Sequence, residues 1–225
     1  MVARVSTIKR MAPRELFLDK LPAATRQTFL YCVTLPWFKK TAWYLAGGTA
    51  LALQVGHRQS VDLDFFTPQN AFQQNLLESK LLATDAWVTD LCEQGTIYGT
   101  LKGAKMSFIV YPFFQPSLSQ IRCGTVRILP PRDIAVMKII AIRQRGRKRD
   151  FVDLYWYCLH AQESLWALLE QALAQYPGKD HNVPHLIKSL AYFDDAEADP
   201  MPKLFFKAEW SEIKRYFQRE AVVLA

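Results

Sequence analysis

The chain has 225 residues, of which 50% are hydrophobic and 13% aromatic, so it can build a substantial core and general disorder is excluded. Its four cysteines are scattered and form no CxxC pair, which argues against a zinc site or a disulfide framework and suits a reducing cytoplasm. The net charge of +7 favours an anionic partner such as a nucleotide or RNA, with a plain soluble basic protein as the alternative.

The N-terminal part of the chain predicts no membrane targeting. It is basic but lacks the apolar stretch of a signal peptide, and no later run is long enough to span a bilayer. We expect a loose basic arm over residues 1–13, followed by helices over residues 14–21 and 22–37.

The chain is organised around the stretch WYLAGGTALALQVGHRQSVDLDFF. It begins with a short buried strand over residues 43–46, which ends at Gly47 and Gly48. Thr49 then opens a short apolar helix, and Gly56 closes it because glycine tolerates the left-handed cap conformation.

A second strand over residues 61–66 carries Asp62 and Asp64 on one face, because strand side chains alternate. Two neighbouring carboxylates repel each other unless they are solvated or hold a cation. A glycine turn lets backbone N–H groups approach phosphate oxygens, and a helix N-terminus favours negative charge. The combination predicts a nucleotide site with Mg²⁺ at the aspartates, whereas the alternative is a turn followed by an exposed acidic strand.

The next segment predicts a helix and then a set of strands. Residues 71–82 have the spacing of an amphipathic helix. Strands over residues 87–93, 96–101 and 106–111 are separated by short turns, which predicts an antiparallel meander. A further short strand is expected over residues 124–129.

A helix is predicted to begin at Pro130-Pro131, since proline suits the first helical turn. Lys138 shares an apolar face with Ile134 and Ile142, so its ammonium either reaches back to solvent or points into a site. We favour the site, and expect methionine at this position to leave the fold intact. Asp133, near the helix start, is expected to complement the helix dipole.

The segment RQRGRKR over residues 143–149 is strongly basic. It is either a solvated loop or a phosphate-facing patch beside the cleft. Asp150 and Asp153 follow on one helix face, where they either complement the helix N-terminus or position Lys138, Arg149 or a metal. The rest of the chain is predicted to be mostly helical, with an exposed acidic loop over residues 194–197.

These motifs support a family resemblance. Gly48-Thr49, twelve residues and then Asp62-x-Asp64 resemble the signature of the polymerase-β-like nucleotidyltransferases. The fuller string GGTALAL…HRQSVDLDFF is similar to the AbiEii/AbiGii-type nucleotidyltransferase toxins of bacterial toxin–antitoxin systems. The resemblance resumes over residues 133–138 and 149–155.

The resemblance implies that Asp62 and Asp64 bind the catalytic metal and that Lys138 and the RDxxD segment help to hold the nucleotide. It also implies tRNA as the acceptor and a separate antitoxin partner. The family usually places a third carboxylate on a neighbouring strand, where this chain has Ser107. A serine cannot bridge two metal ions, which leaves a single ion, a substitute acid or a weakened enzyme as alternatives.

The expected fold is α+β, with a polymerase-β-like core and small mixed sheet over residues 1–130 and a helical lobe over residues 131–225 that completes the cleft. The expected reaction is Mg²⁺-dependent transfer of a nucleotidyl group from an NTP to RNA. A kinase-like phosphotransferase and a non-catalytic nucleotide- or RNA-binding module are the rivals.

We expect His57 to donate a hydrogen bond rather than act as a base. The candidate catalytic residues are Asp62, Asp64 and Lys138, and the nucleotide-binding candidates are Gly47, Gly48, Thr49, His57, Arg58, Ser60, Lys138, Arg149, Asp150 and Asp153.

Overall fold

The computed structural model describes residues 9–84, 86–117, 119–178 and 181–224; residues 1–8 of the predicted basic arm lie outside this part. The helices are α1 (Ala23–Cys32), α2 (Gly47–Val55), α3 (Gln74–Leu82), α4 (Pro131–Arg145), α5 (Lys148–Ala161), α6 (Leu165–Gln175), α7 (Val183–Leu190), α8 (Asp194–Glu197) and α9 (Trp210–Leu224). The strands are β1 (Tyr44–Ala46), β2 (Leu63–Thr67), β3 (Trp87–Glu93), β4 (Thr96–Leu101), β5 (Ala104–Val110), β6 (Ile121–Cys123) and β7 (Val126–Ile128).

The strands form one mixed sheet in the order β3-β4-β5-β2-β1-β7-β6. Strands β3, β4 and β5 make the predicted antiparallel meander. β2 pairs with β5 in parallel and with β1 antiparallel, and β1 pairs with β7 in parallel. The α+β prediction is therefore confirmed.

The core lies on the face of the sheet that the aromatic side chains cover. Phe65 of β2 and Phe108 of β5 stack with ring centroids 5.2 Å apart, and Phe38 lies 4.8 Å from Phe65. Both strand residues are fully buried, so the apolar face of β2 is turned away from Asp64. This alternation positions the carboxylate on the opposite face.

The C-terminal helices pack around α4, which contacts α2, α5, α6 and α7. Helix α4 thus joins the sheet region to the later helices. The strands precede residue 130 and α4 to α9 follow it, but the proposed division into units at residue 130 stays a prediction. None of the helices in the described part has the length and apolar character needed to cross a bilayer.

Two of the predicted N-terminal elements were wrong. The expected helix over residues 14–21 is two short 3-10 turns, Pro13–Glu15 and Leu18–Lys20. The expected helix over residues 22–37 ends at Cys32, because Pro36 forces Leu35 into extended backbone and starts a separate 3-10 turn.

Three other boundaries differ from the prediction. Helix α2 begins at Gly47 rather than Thr49, and α3 begins at Gln74, three residues later than predicted. The strand expected over residues 124–129 is a hairpin of β6 and β7, with Gly124 in its turn at φ +55°. A Cβ at Gly124 would lie 2.3 Å from the carbonyl oxygen of Val33, so this turn requires glycine.

Candidate active site

A cleft of about 360 Å³ lies between the sheet and helices α4 and α5. Its polar side is formed by the start of α2, the end of the loop that precedes β2, and cationic side chains from α4 and α5. Its apolar side is formed by Phe66, Tyr98, Ile109, Tyr111 and Met137. The sequence-predicted residues that line it are Gly47, Gly48, Arg58, Ser60, Asp62, Asp64, Lys138 and Arg149.

The two glycines place the N-terminus of α2 against this cleft. Gly47 has φ +73°, and a Cβ there would lie 3.0 Å from Oδ2 of Asp64. A Cβ at Gly48 would lie 2.3 Å from Nη2 of Arg58. Because the helix starts at Gly47, the backbone N–H groups in the first turn of α2 can bind an anion in the cleft.

The loop between α2 and β2 is held by a distant segment of the chain. The backbone N–H of Phe205 donates to the carbonyl of His57 at 2.8 Å, and that of Gln59 donates to the carbonyl of Lys203 at 2.8 Å. Gly56 ends α2 in the predicted left-handed conformation at φ +65°. This two-sided support fixes the direction in which the Arg58 side chain leaves the loop.

Asp62 and Asp64 face the cleft together, as predicted, although β2 begins only at Leu63 and Asp62 precedes it. Asp64 pairs in register with Ser107 of β5, and the Ser107 hydroxyl donates to Oδ1 of Asp64 at 2.7 Å. Ser107 therefore lies on the neighbouring strand, directly beside the carboxylate pair.

The pKa of Asp64 is raised by burial and by the negative charge of Asp62, while the hydrogen bond from Ser107 acts in the opposite direction. The nearest guanidinium to Asp62 is that of Arg149, at 3.9 Å. The local negative charge is thus incompletely compensated. Two carboxylates and a hydroxyl are hard oxygen donors of the kind that Mg²⁺ prefers, so these residues fit a divalent cation.

In the described part of the chain, no third acidic side chain joins this pair in metal-binding geometry. Within the described residues, three or more His, Cys, Asp or Glu side chains with metal-binding geometry do not come together. Asp150 and Asp153 lie on α5 and are engaged elsewhere, so they do not take the place of the third carboxylate.

A buried ion-pair network lies beneath the cleft and holds its two central cations. Arg58 contacts both oxygens of Asp153, with Nε–Oδ1 at 2.5 Å and Nη2–Oδ2 at 2.8 Å. Nζ of Lys138 lies 2.6 Å from Oδ1 of Asp150 and 2.7 Å from Oδ2 of Asp153. Arg145 adds a contact to Asp150 at 3.0 Å. Lys138 does not reach back to solvent, since it is only 4% exposed.

The charges in this network set the protonation states. Burial alone would raise the pKa of Asp153, but Arg58 and Lys138 outweigh it and hold that pKa well below its usual range. The pKa of Asp150 is lowered in the same way by Lys138 and Arg145 against the effect of burial. Three cations therefore face two carboxylates, which leaves one excess positive charge beside the cleft.

His57 belongs to the same network rather than to the cleft surface. Its Nε2 lies 2.7 Å from Oδ1 of Asp153, a residue 96 positions away in sequence. Burial lowers the pKa of His57 despite the carboxylate, so the neutral imidazole donates from Nε2. The prediction that His57 donates a hydrogen bond fits this geometry, and the acceptor is the buried carboxylate of Asp153.

Four of the predicted site residues lie behind the lining of the cleft. Thr49 is 1% exposed and donates to Oγ of Ser60 at 2.9 Å, so its hydroxyl supports the serine that faces the cleft. His57, Asp150 and Asp153 are likewise buried. The structure brings these residues next to the cleft, in contact with the side chains that line it.

The basic segment 143–149 is divided between surface and interior. Arg145, Arg147 and Arg149 are about half exposed, and Arg145 and Arg149 line the cleft. Lys148 is buried, with Nζ 2.6 Å from the carbonyl oxygen of Asp199. The segment is therefore not a wholly solvated loop, because two of its arginines line the cleft. It is also not a surface patch that includes Lys148, because that side chain is buried.

Two acidic features also differ from the prediction. Asp133 is fully buried, and its Oδ1 accepts from the Ser117 hydroxyl at 2.7 Å and from Nε2 of Gln175 at 2.8 Å. It ties α4 to a loop and to α6, a larger role than complementing the helix dipole. The acidic segment 194–197 forms the short helix α8 instead of a loop.

The aromatic wall of the cleft was not predicted from the sequence. Tyr98 of β4 and Tyr111, just after β5, both line it. Alternation along β4 would have turned Tyr98 outward from the buried Ile97, but strand pattern alone did not say that this face borders the aspartates.

Comparison with known proteins identifies relatives over most of the chain. A family model described as the nucleotidyl transferase AbiEii toxin of a type IV toxin–antitoxin system matches residues 28–111 and 114–222. An uncharacterized protein of Aquifex aeolicus is 33% identical over 183 residues, which are 79% of this chain and 85% of that protein.

Solved structures with the same fold cover nearly the whole chain. JHP933 from Helicobacter pylori has a TM-score of 0.54 at 19% identity, over 91% of this chain and 93% of its own. The nucleotidyltransferase toxin MenT4 from Mycobacterium tuberculosis has a TM-score of 0.51 at 12% identity, over 90% of this chain and 85% of its own.

Proposed function

The chain belongs to the AbiEii family of nucleotidyltransferase toxins and is a nucleotidyltransferase, and from that premise we propose that it transfers a nucleotidyl group from an NTP to RNA with Mg²⁺ as cofactor. In this reaction an acceptor hydroxyl oxygen bonds to the α-phosphorus. The bond from that phosphorus to the bridging oxygen breaks, pyrophosphate leaves, and the acceptor hydroxyl loses its proton.

The observation that carries the proposal is the meeting of opposite charges in one cleft. Asp62 and Asp64 line the same space as the N-terminus of α2 and the cations Arg58 and Lys138. Mg²⁺, when bound by the two aspartates, would neutralise charge on phosphate oxygens as the bond at the α-phosphorus changes.

The remaining residues orient the triphosphate. The N–H groups of Gly47 and Gly48 and the Ser60 hydroxyl donate to phosphate oxygens, and Arg58, Lys138 and Arg149 supply positive charge. His57, Asp150 and Asp153 hold Arg58 and Lys138 in place through the buried ion pairs, and Thr49 holds Ser60. The four buried residues thus contribute to nucleotide binding through their neighbours.

RNA is the proposed acceptor, and an antitoxin is the proposed protein partner. The net charge of +7 and the exposed Arg145, Arg147 and Arg149 support RNA, and the family resemblance points to tRNA. Membership of a toxin–antitoxin family supports a cognate antitoxin as protein partner. We further propose that the enzyme acts in the cytoplasm, and that residues 1–130 and 131–225 form the catalytic core and the helical lobe.

A labelling experiment separates this function from its rivals. Purified protein is incubated with Mg²⁺, unfractionated tRNA and each NTP labelled in turn at the α- or γ-phosphate, and the products are run on a denaturing gel. Label in RNA from the α-position alone supports nucleotidyl transfer. Label from the γ-position supports a kinase, and nucleotide binding without labelled product supports a non-catalytic module.

A further inference from the structure

The sheet wall of the nucleotide cleft changes from polar to apolar along its strands. Asp64 of β2 pairs with Ser107 of β5, and two residues further on Phe66 pairs with Ile109. Because side chains two residues apart share a face, both pairs lie on the same side of the sheet. Phe66 and Ile109 line the cleft, so an apolar row follows the aspartate row at about 7 Å along the strands.

Helix α4 forms the opposite wall and shows the same division. The helix lines the cleft through Ile134, Met137, Lys138, Ala141, Gln144 and Arg145. These residues lie on one face, because positions three and four apart are neighbours on a helix surface. The charged half of the cleft holds Asp64 and Lys138. The apolar half is defined by Phe66, Ile109, Met137 and Ala141, and the proposed triphosphate site does not account for it.

The C-terminal end of α4 faces the aromatic wall of the cleft. Burial raises the pKa of Tyr111, while its hydrogen bond with Tyr176 and the positive charge of Arg145 act in the opposite direction. Arg145 is therefore close enough to the Tyr111 hydroxyl for its charge to act there. The rings of Phe66 and Tyr111 meet edge to face, with centroids 5.5 Å apart, so this end of the helix lies beside the apolar half.

Gln144 is the uncharged polar side chain on this face of α4. It lies six residues after Lys138, which is about 9 Å further along the helix axis. The side chain is exposed, and its amide makes no hydrogen bond to another residue in the described part of the chain. The amide presents a carbonyl acceptor and an NH2 donor in one plane. The edge of a nucleobase presents donors and acceptors in its own plane, so the two can form paired hydrogen bonds.

We propose that the base of the NTP occupies the apolar half of the cleft and that the Gln144 amide binds the edge of the base, which makes Gln144 a specificity-determining residue; this rests on the proposed nucleotidyl transfer. The faces of a base are apolar and pack against apolar side chains, whereas the polar groups on its edge need partners. A base whose edge does not match the amide leaves polar groups unpaired and binds more weakly.

The test uses CTP and UTP as a matched pair of ligands. They share the ribose and the triphosphate, but cytosine has an amino group where uracil has a carbonyl. The proteins are wild type, Gln144→Glu, Gln144→Leu and the control Gln218→Glu, which makes the same change at an exposed glutamine of α9 outside the cleft. Calorimetry with Mg²⁺ and without an acceptor measures the affinities of the four NTPs and of inorganic tripolyphosphate. Thermal unfolding checks that each variant is folded.

A carboxylate accepts hydrogen bonds and donates none, so Gln144→Glu should pair with the amino group of cytosine and repel the carbonyl of uracil. The ratio of CTP affinity to UTP affinity should therefore rise by about 5- to 150-fold over wild type. The added negative charge weakens both nucleotides together and cancels in the ratio. Gln144→Leu should lose the wild-type preference among the four NTPs and keep wild-type affinity for tripolyphosphate. Gln218→Glu should match wild type throughout.

Four results would overturn the inference while leaving the proposed function standing. They are an unchanged ratio in Gln144→Glu, an equal change in the Gln218→Glu control, weaker tripolyphosphate binding by Gln144→Leu, or a wild type that binds all four NTPs equally. Absence of NTP binding by wild type would instead count against nucleotidyl transfer itself, and the inference would fall with it.

Discussion

Replacement of Lys138 by methionine keeps an apolar stem of similar shape and deletes the ammonium. The sequence-based expectation was that the fold would tolerate this change. The buried contacts predict instead that the variant is less stable than wild type, because Nζ of Lys138 lies 2.6 Å from Asp150 and 2.7 Å from Asp153. In the variant, the buried carboxylates of Asp150 and Asp153 would lose the positive charge of Lys138.

The size of the effect follows from the partners that remain. Breaking a buried ion pair by removing one member costs about 3–5 kcal/mol. Asp153 keeps Arg58 and His57, and Asp150 keeps Arg145, so we expect a loss near the lower limit, about 3 kcal/mol. For a chain of this length that lowers Tm by about 6–12 °C.

The loss should also depend on pH. Both aspartates have a pKa lowered in the folded protein, chiefly because Lys138 and its neighbouring guanidiniums outweigh burial. Their contribution to stability is fully present above the unfolded pKa of about 3.9 and is lost as the pH falls through the depressed folded pKa. In the variant the aspartates take up protons more readily, so its deficit should narrow as the pH falls toward about 4.

Urea unfolding at pH 7 and at acidic pH measures both effects, with Lys39→Met as a control that makes the same chemical change at an exposed lysine. Adding Asp150→Asn to Lys138→Met should recover stability, since it removes one uncompensated charge while the half-exposed Arg145 can be solvated. A Lys138→Met protein as stable as wild type at pH 7, or a double variant less stable than the single one, would refute this account of the network.

Three other predictions concern the surface arginines, Lys148 and the metal. The double variant Arg147→Gln/Arg149→Gln should reduce the salt slope of RNA binding by about 1.4, at about 0.7 per contact, and an unchanged slope would remove these residues from the RNA surface. Lys148→Gln should instead lower the free energy of unfolding by about 1.5–3 kcal/mol, because the buried ammonium donates to the backbone carbonyls of Glu197 and Asp199; wild-type thermal stability would contradict this. With Ser107 in place of a third acid, calorimetry should show weak Mg²⁺ binding to the free protein and clear binding once NTP is added, whereas two tight ions without NTP would contradict the two-carboxylate site.

The part of the site that could be predicted from the sequence rests on short-range patterns. Alternation placed Asp62 and Asp64 on the polar side of β2, and Gly56 marked the end of α2. The turns between β3, β4 and β5 gave the meander, whereas the place of Ser107 beside Asp64 was implied by the family resemblance. Each of these features is set by residues within a few positions of one another or by tight hairpins.

Long-range pairing explains what was missed. His57 and Asp153 are 96 residues apart, and nothing near His57 in sequence indicates its partner. Lys148 reads as one of a run of exposed cations, but Asp199, 51 residues later, caps the start of α5 and buries it. The need for glycine at position 48 likewise comes from the Arg58 side chain that lies over it.

The most direct test of nucleotidyl transfer in this cleft is the ratio of pyrophosphate released to α-label incorporated, measured for wild type and Asp64→Ala. Asp64 faces away from the core, and burial together with Asp62 raises its pKa, so the variant should fold and be at least as stable as wild type in metal-free buffer. We predict one pyrophosphate per label incorporated by wild type and neither product from the folded variant. Full turnover by Asp64→Ala, or label incorporated without pyrophosphate, would contradict the account.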